Sequence, residues 1–213
     1  MQLPRSILLL LALALGLAAC ESGPRKGPLD GTDPAKISVD PDADAGVLTP
    51  TEEDIIQAFQ YETGEQFLEA AVLYDRLSQS AVQPERSAFL IKVALMYYYG
   101  GLYDEIDPFF AGLGEQDILQ QDLKYKQIIQ SGGYLGEGKI YQGLLALPEI
   151  DEIIDYQFKA LALNIRSRGV LAIGKPLDSA KLRMQIGQYL KTPQEFEKDH
   201  DFIWAALNRI TEP

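Results

Sequence analysis

The sequence has one cysteine, one histidine and one tryptophan in 213 residues. A lone cysteine excludes an intramolecular disulfide, so stability must come from an ordinary apolar core. One histidine and one cysteine do not make a zinc site of the usual ligands. They also leave little for the acid–base chemistry that histidine most often supplies, and His200 itself is flanked by Asp199 and Asp201 in "EKDHDF", as a surface histidine would be. Positive charge is scarce, 19 Lys and Arg against 31 Asp and Glu, for a formal net charge of −12. That balance argues against a nucleic-acid partner, because phosphate backbones are bound by clustered Lys and Arg. No G-x-S-x-G stretch is present, and "LAIGKPLDS" lacks both the earlier glycine and the Ser/Thr after Lys175 that a phosphate loop requires. The expectation is a non-catalytic protein with no metal and no dissociable cofactor.

What is present begins at the amino terminus. "MQLPRSILLLLALALGLAAC" has one positive residue, Arg5, then an apolar run too short to span a membrane comfortably, then small residues. This is the layout of a cleaved secretory signal over residues 1–19. Leu17-Ala18-Ala19-Cys20 matches a bacterial lipobox, in which the cysteine thiol receives a diacylglycerol and the new amino terminus is acylated. Two or more acyl chains anchor stably, since each buried methylene contributes roughly 0.8 kcal/mol. Cys20 is therefore expected to be a lipid anchor. Glu21 rather than Asp follows it, which favours the periplasmic face of the outer membrane. Loss of the leader removes Arg5 and no acidic group, so the charge of −12 becomes −13.

Residues 20–50 are rich in Pro, Gly and Asp and contain no aromatic residue, so they read as a disordered tether. Asp40, Asp42 and Asp44 alternate as in a calcium loop, but the glycine and terminal Glu of that motif are missing.

From residue 51 to residue 213 the apolar spacing turns helical, and the expected class is all-α. Thr51 and Asp54 form one capping-box start; Thr192, Pro193 and Glu195 form another. A shift of 36 residues superposes Phe67 on Tyr103, Ala70 on Ile106, Leu73 on Phe109, Tyr74 on Phe110 and Leu77 on Leu113. A third unit is expected after a turn at Gly132-Gly133, with Leu135, Gly138, Tyr141 and Leu145 in comparable places. A fourth is expected after Gly174, with Leu177, Ala180 and Met184. Steps of about 36, 32 and 42 residues bracket the tetratricopeptide period. The predicted architecture is a right-handed superhelix of stacked, degenerate tetratricopeptide-like hairpins, with Ala70, Gly138 and Ala180 as the small residues at helix crossings.

Candidate contact residues follow from this frame. Tyr97, Tyr98, Tyr99 and Tyr103 could line a concave surface, although three consecutive helical residues cannot all face one way, so core packing competes for at least two of them. Between Tyr156 and Pro193, Lys159, Arg166, Arg168, Lys175, Lys181, Arg183 and Lys191 stand against the single acid Asp178, a basic face suited to an acidic partner or an anionic wall polymer, or one that simply balances the acidic hairpins beside it. The carboxylate clusters Asp104/Glu105/Asp107 and Asp151/Glu152/Asp155 have the residue type of a glycosidase pair, but they stand at predicted helix starts, where the dipole alone favours acids. A last helix from Gln194 to Thr211 carries Phe196, Ile203, Leu207 and Ile210 on one stripe with Trp204 beside it. If that helix docks, Trp204→Ala is expected to cost about 3 kcal/mol or more.

The stretch "YQFKALALNIRSRGVLAIGKPLDSAKLRMQIGQYLKTPQEFEKDHDFIWAALNRITE" carries an A-L…I…G…A…R…L run and a final helix with Asp201, Ile203, Trp204, Ala205 and Leu207. With the lipobox and the degenerate hairpins before it, this resembles the N-terminal domain of the LppC/LpoA lipoproteins, outer-membrane activators of class A penicillin-binding proteins. The resemblance covers most of residues 51–213. It implies a lipoprotein that reaches through the wall to stimulate a peptidoglycan synthase, with a class A penicillin-binding protein as partner and peptidoglycan as a second contact. In that family a larger domain resembling periplasmic substrate-binding proteins follows the helical one. An alternative of the same build is a scaffold lipoprotein of outer-membrane protein assembly.

Overall fold

The computed structural model describes residues 52–189 and 193–211. The leader, Cys20, the tether, and the caps at Thr51 and Thr192 lie outside the described residues, as do the side chains of Phe196, Leu207 and Ile210. The described residues form nine α-helices, joined in places by 3-10 turns, with no strand among them.

Four helical hairpins follow one another. They pair α1 (Glu52–Thr63) with α2 (Phe67–Ser80), α3 (Glu85–Gly100) with α4 (Tyr103–Ala111), α5 (Leu123–Gly136) with α6 (Ile140–Ala146), and α7 (Tyr156–Ala172) with α8 (Pro176–Ile186). The second helix of each hairpin packs on the first helix of the next, and α9 (Pro193–Thr211) sits on α8 in the same relation. First helices also touch across hairpins, α3 against α5 and α5 against α7.

One turn chemistry recurs in all four hairpins. Glu65, Gly101, Gly138 and Gly174 adopt positive φ of 59°, 76°, 82° and 79°, at steps of 36, 37 and 36 residues. The residue after each donates its N–H to a carbonyl five places back: Gln66 to Tyr61, Leu102 to Tyr97, Lys139 to Tyr134 and Lys175 to Val170, at 2.8–3.1 Å. This left-handed cap satisfies carbonyls that a helix end leaves orphaned, and it suits glycine because no Cβ opposes the conformation.

The repeat is thus more regular than its sequence suggests, and the third turn is not where the sequence places it. Gly132 and Gly133 lie inside α5, and the turn follows at Glu137-Gly138. Gly138 is a turn residue rather than a crossing residue, and a Cβ there would meet no atom within 4 Å. With the frame set by the turns, Ala70, Ile106, Gly143 and Ser179 are equivalent, and all four are buried. Tyr141, Leu145, Leu177 and Met184, expected inside, are exposed, whereas Ala180 is buried as expected. The 36-residue superposition of the first two units holds: all of its paired residues belong to the apolar core or pack against it.

The hairpins share a core running from Ala58 through α7, and a smaller cluster of Ala160, Leu163 and Ile186 joins α7 to α8. Helix α3 is buried on nearly every side, which its run "SAFLIKVALMYYY" allows, since a helix apolar all round belongs in a core. At its start the Ser87 hydroxyl donates to Asp122 Oδ2 (2.5 Å) and accepts from the Leu119 N–H (3.1 Å), fixing the long α4–α5 connection against it.

Candidate functional site

Two residues before each left-handed turn residue stand Tyr99, Gly136 and Ala172 in hairpins two, three and four; six before stand Leu95, Gly132 and Arg168. The residue opening the second helix of the preceding hairpin packs here. At the first seam Phe67 meets Tyr99, ring centroids 5.8 Å apart. At the second seam Tyr103 meets Gly136, so close that a Cβ on Gly136 would run into the tyrosine ring. Gly132 is likewise covered by Tyr98, whose Cε2 lies 2.5 Å from where a Cβ would stand.

With glycine and alanine where the first seam has Tyr99, a cavity of about 160 Å³ remains. Tyr98 and Tyr103 form its aromatic wall, and the Gly132–Gly136 stretch of α5 forms its floor. Ile140 closes one side, and α7 contributes Ile165, Arg168 and Ala172, three and seven residues on from Ile165 and so on one helix face. Tyr98 is buried, and its ring contacts those of Tyr99 and Tyr103 at 5.5 and 5.9 Å, so the wall is fixed by packing. Arg168 is the only charged residue lining this cavity.

The sequence-predicted tyrosines therefore divide. Tyr98 and Tyr103 line the cavity. Tyr97 packs edge-on against Phe109 at 5.7 Å, and Tyr99 meets Phe67 at the first seam. Burial pushes the Tyr97 hydroxyl pKa up, with Asp75 and Glu105 adding to the shift.

The basic residues divide as well. Only Arg168 reaches the cavity. Arg166, two residues away on the same helix, is rotated by about 200° around its axis. Lys175 is exposed at the last hairpin turn, and exposed Lys181 stands 3.9 Å from Asp178. Arg183 is turned into the protein: its guanidinium lies 3.9 Å over the Phe202 ring and 3.3 Å from Asp199, tying α8 to α9. Burial raises the Asp199 pKa, and Arg183 opposes that shift. Arg166 and Arg168 thus leave their helix on opposite sides, and Lys191 lies outside the described residues.

The acidic clusters behave as helix-start residues. Asp155 caps α7, accepting from the N–H groups of Gln157 (2.8 Å) and Phe158 (3.0 Å). Asp104 and Glu105 occupy the first turn of α4, and Asp107 accepts from Gln130 Nε2 at 2.8 Å. His200 is exposed and accepts from Trp204 Nε1 at 2.7 Å. Trp204 itself is 55 % exposed, so it is not the buried anchor expected of it; α9 is held through Arg183 and Phe202.

Sequence reasoning missed one constellation. Lys92, within α3, donates to both Glu62 oxygens at 2.7 and 2.9 Å, and the Tyr74 hydroxyl donates to Glu62 Oε2 at 2.7 Å; all three residues are buried. Burial lowers the Lys92 pKa while Glu62 works against that shift, and burial with the Glu62 charge drives the Tyr74 pKa upward. A lysine alone in "AFLIKVALM" was the available signal, because a charge in a fully buried helix requires a partner. The partner, 30 residues earlier, carries no local mark.

No family model matches the chain, and no curated protein and no solved structure matches it either. No described helix is long and apolar enough to cross a membrane.

Proposed function

We propose that the chain is a non-catalytic lipoprotein of the outer membrane's periplasmic face, held by lipid on Cys20, that regulates peptidoglycan synthesis by activating a class A penicillin-binding protein. In this reading the hairpins form a tetratricopeptide-like superhelix of right-handed sense, serving as spacer and docking scaffold. The observation that carries it is the fourfold recurrence of one hairpin turn at 36–37-residue steps, with a preformed cavity at the second seam. Repeating hairpins stacked in this way are generally binding surfaces. The cavity lining has aromatic, aliphatic and guanidinium groups and no serine, histidine or carboxylate, a set suited to holding a group rather than transforming one.

The test is cross-linked affinity capture of the full chain from detergent-solubilised envelopes of its own cells, beside a Cys20→Ser form. The expected result is a class A penicillin-binding protein cross-linked to the wild type, with Cys20→Ser leaving the membrane fraction while staying folded. Capture of a β-barrel insertion complex instead would move the protein to outer-membrane assembly and overturn the synthase reading. A Cys20→Ser form still in the outer membrane would overturn the anchor.

A further inference from the structure

We infer that the cavity at the second seam is a binding site for a small carboxylate with a compact apolar body, the carboxylate on Arg168 and the body between Tyr98, Tyr103 and Ile140. Its volume, about 160 Å³, matches apolar cavities of ~150 Å³ that take up a benzene-sized molecule. It persists because the surrounding positions cannot collapse into it. The aromatic wall is pinned against Gly132 and Gly136, and no side chain extends from those glycines to fill the space.

Arg168 supplies the charge specificity. Its repeat position holds Leu95 in the second hairpin and Gly132 in the third, so packing of the repeat does not call for a cation there. A guanidinium among aromatic and aliphatic walls favours a bidentate carboxylate, and low polarity around the pair strengthens it. Arg168 also makes a contact within the protein, and the five donors of a guanidinium can serve a carboxylate beside it. The occupant has two possible sources, the carboxyl-terminal residue of a peptide with an apolar side chain or a free small acid. The inference is independent of the synthase reading, since the site can bind whether or not a penicillin-binding protein is captured.

The experiment is calorimetric titration of the full chain in detergent with 4-methylpentanoate, its amide, the tripeptide Gly-Gly-Leu and the tripeptide amide. The acids are expected to bind saturably in the millimolar range or tighter, and each amide at least tenfold more weakly. Arg168→Gln should lose at least tenfold in affinity. Ala172→Leu fills the cavity from an exposed rim position, so it should abolish binding while leaving the melting temperature unchanged. Tighter binding of the tripeptide than of the free acid assigns the site to a chain terminus; the reverse order assigns it to a free acid. Equal binding of acid and amide, wild-type affinity in both variants, or no saturable binding by either acid would overturn the proposal.

Discussion

The first and second seams are built on one backbone frame and filled with opposite chemistry. Glu62, Tyr74 and Lys92 occupy the first; counted from the hairpin turns, their equivalents at the second are Tyr98, Phe110 and Ile129, and at the third Leu135, Leu147 and Ile165. The first seam therefore closes on a hydrogen-bonded ion pair, while the next two close on apolar contacts. The difference teaches that the repeat dictates where side chains meet but not what they are. A second contrast overlays the first. Where the charged seam sets Phe67 against the Tyr99 ring, the adjacent apolar seam has Gly136 in place of the second ring and holds a cavity.

The largest expected effect comes from breaking the charged seam on one side. Lys92→Ile copies the residue found at the equivalent place in hairpins three and four, yet it strands a buried Glu62 carboxylate and should cost about 3–5 kcal/mol in chemical denaturation. Replacing all three members, Glu62→Leu with Tyr74→Phe and Lys92→Ile, makes the first seam resemble the later ones. That triple variant should return to wild-type stability or exceed it, because well-packed apolar replacements of buried ion pairs are often neutral or stabilising. A triple variant as unstable as the single one would show that the seams are not interchangeable.

The same cluster gives a pH dependence. The folded-state pKa of Tyr74 is raised above the ordinary 10.0, so above pH 10 the unfolded chain releases a proton that the folded chain retains. Stability from this group is full below that value and falls as pH rises through it. The lowered Lys92 pKa acts in the other direction, adding stability as pH approaches the ordinary lysine value of 10.5 and adding no more above it. Thermal melts from pH 9 to 12 should therefore fall on the alkaline side for the wild type, and fall less for the triple variant. Identical slopes would mean that Tyr74 ionises as freely as in the unfolded chain.

Gly132→Ala tests the second seam. Helix propensity alone would favour the alanine by about 1 kcal/mol. The new methyl, however, would meet Tyr98 Cε2 at 2.5 Å and Ile165 Cδ1 at 3.0 Å, and both side chains are buried. Overpacking of this kind costs about 1–3 kcal/mol. The net expectation is a loss of about 1 kcal/mol. A stabilised Gly132→Ala would mean that the aromatic wall yields, and that the cavity is not preformed.

This glycine also marks the limit of what the sequence discloses. The all-helical class, the first two hairpins and the turns at Gly101 and Gly174 were legible, because apolar spacing and turn glycines are local signals. Gly132 and Gly133 were misread for the same reason. Glycines within a helix look like a break until the side chains that need their bare backbone are in view: Tyr98 over Gly132 and Ile106 over Gly133, both from the preceding hairpin. That single misplacement turned a 36–37-residue period into an irregular one and pushed Tyr141 and Leu145 inward on paper. Of the candidate site, Tyr98, Tyr103 and Arg168 were among the residues singled out, but their meeting depends on Gly136 standing where the preceding hairpin has Tyr99, a relation visible only once the turns are aligned.

The smallest effect is expected at the far end of the stack, where α8 meets α9 across a seam that again uses charge. Arg183 holds the repeat position of Tyr74 and Phe110, and it lies over Phe202 beside Asp199. Trp204, by contrast, keeps more than half of its surface in solvent and touches His200 one turn back on its own helix. Trp204→Ala should therefore cost less than about 1 kcal/mol, far below the 3–5 kcal/mol of a fully buried tryptophan. Arg183→Ala should cost more than Trp204→Ala, since it removes both the ion pair and the stacked contact that join the two helices. Because Trp204 is the only tryptophan, its fluorescence reports on α9 alone in the Arg183 variant. A red-shifted emission melting below the global circular-dichroism transition would show α9 detaching through the loss of Arg183, whereas a larger loss from Trp204→Ala would place the anchor at the indole after all.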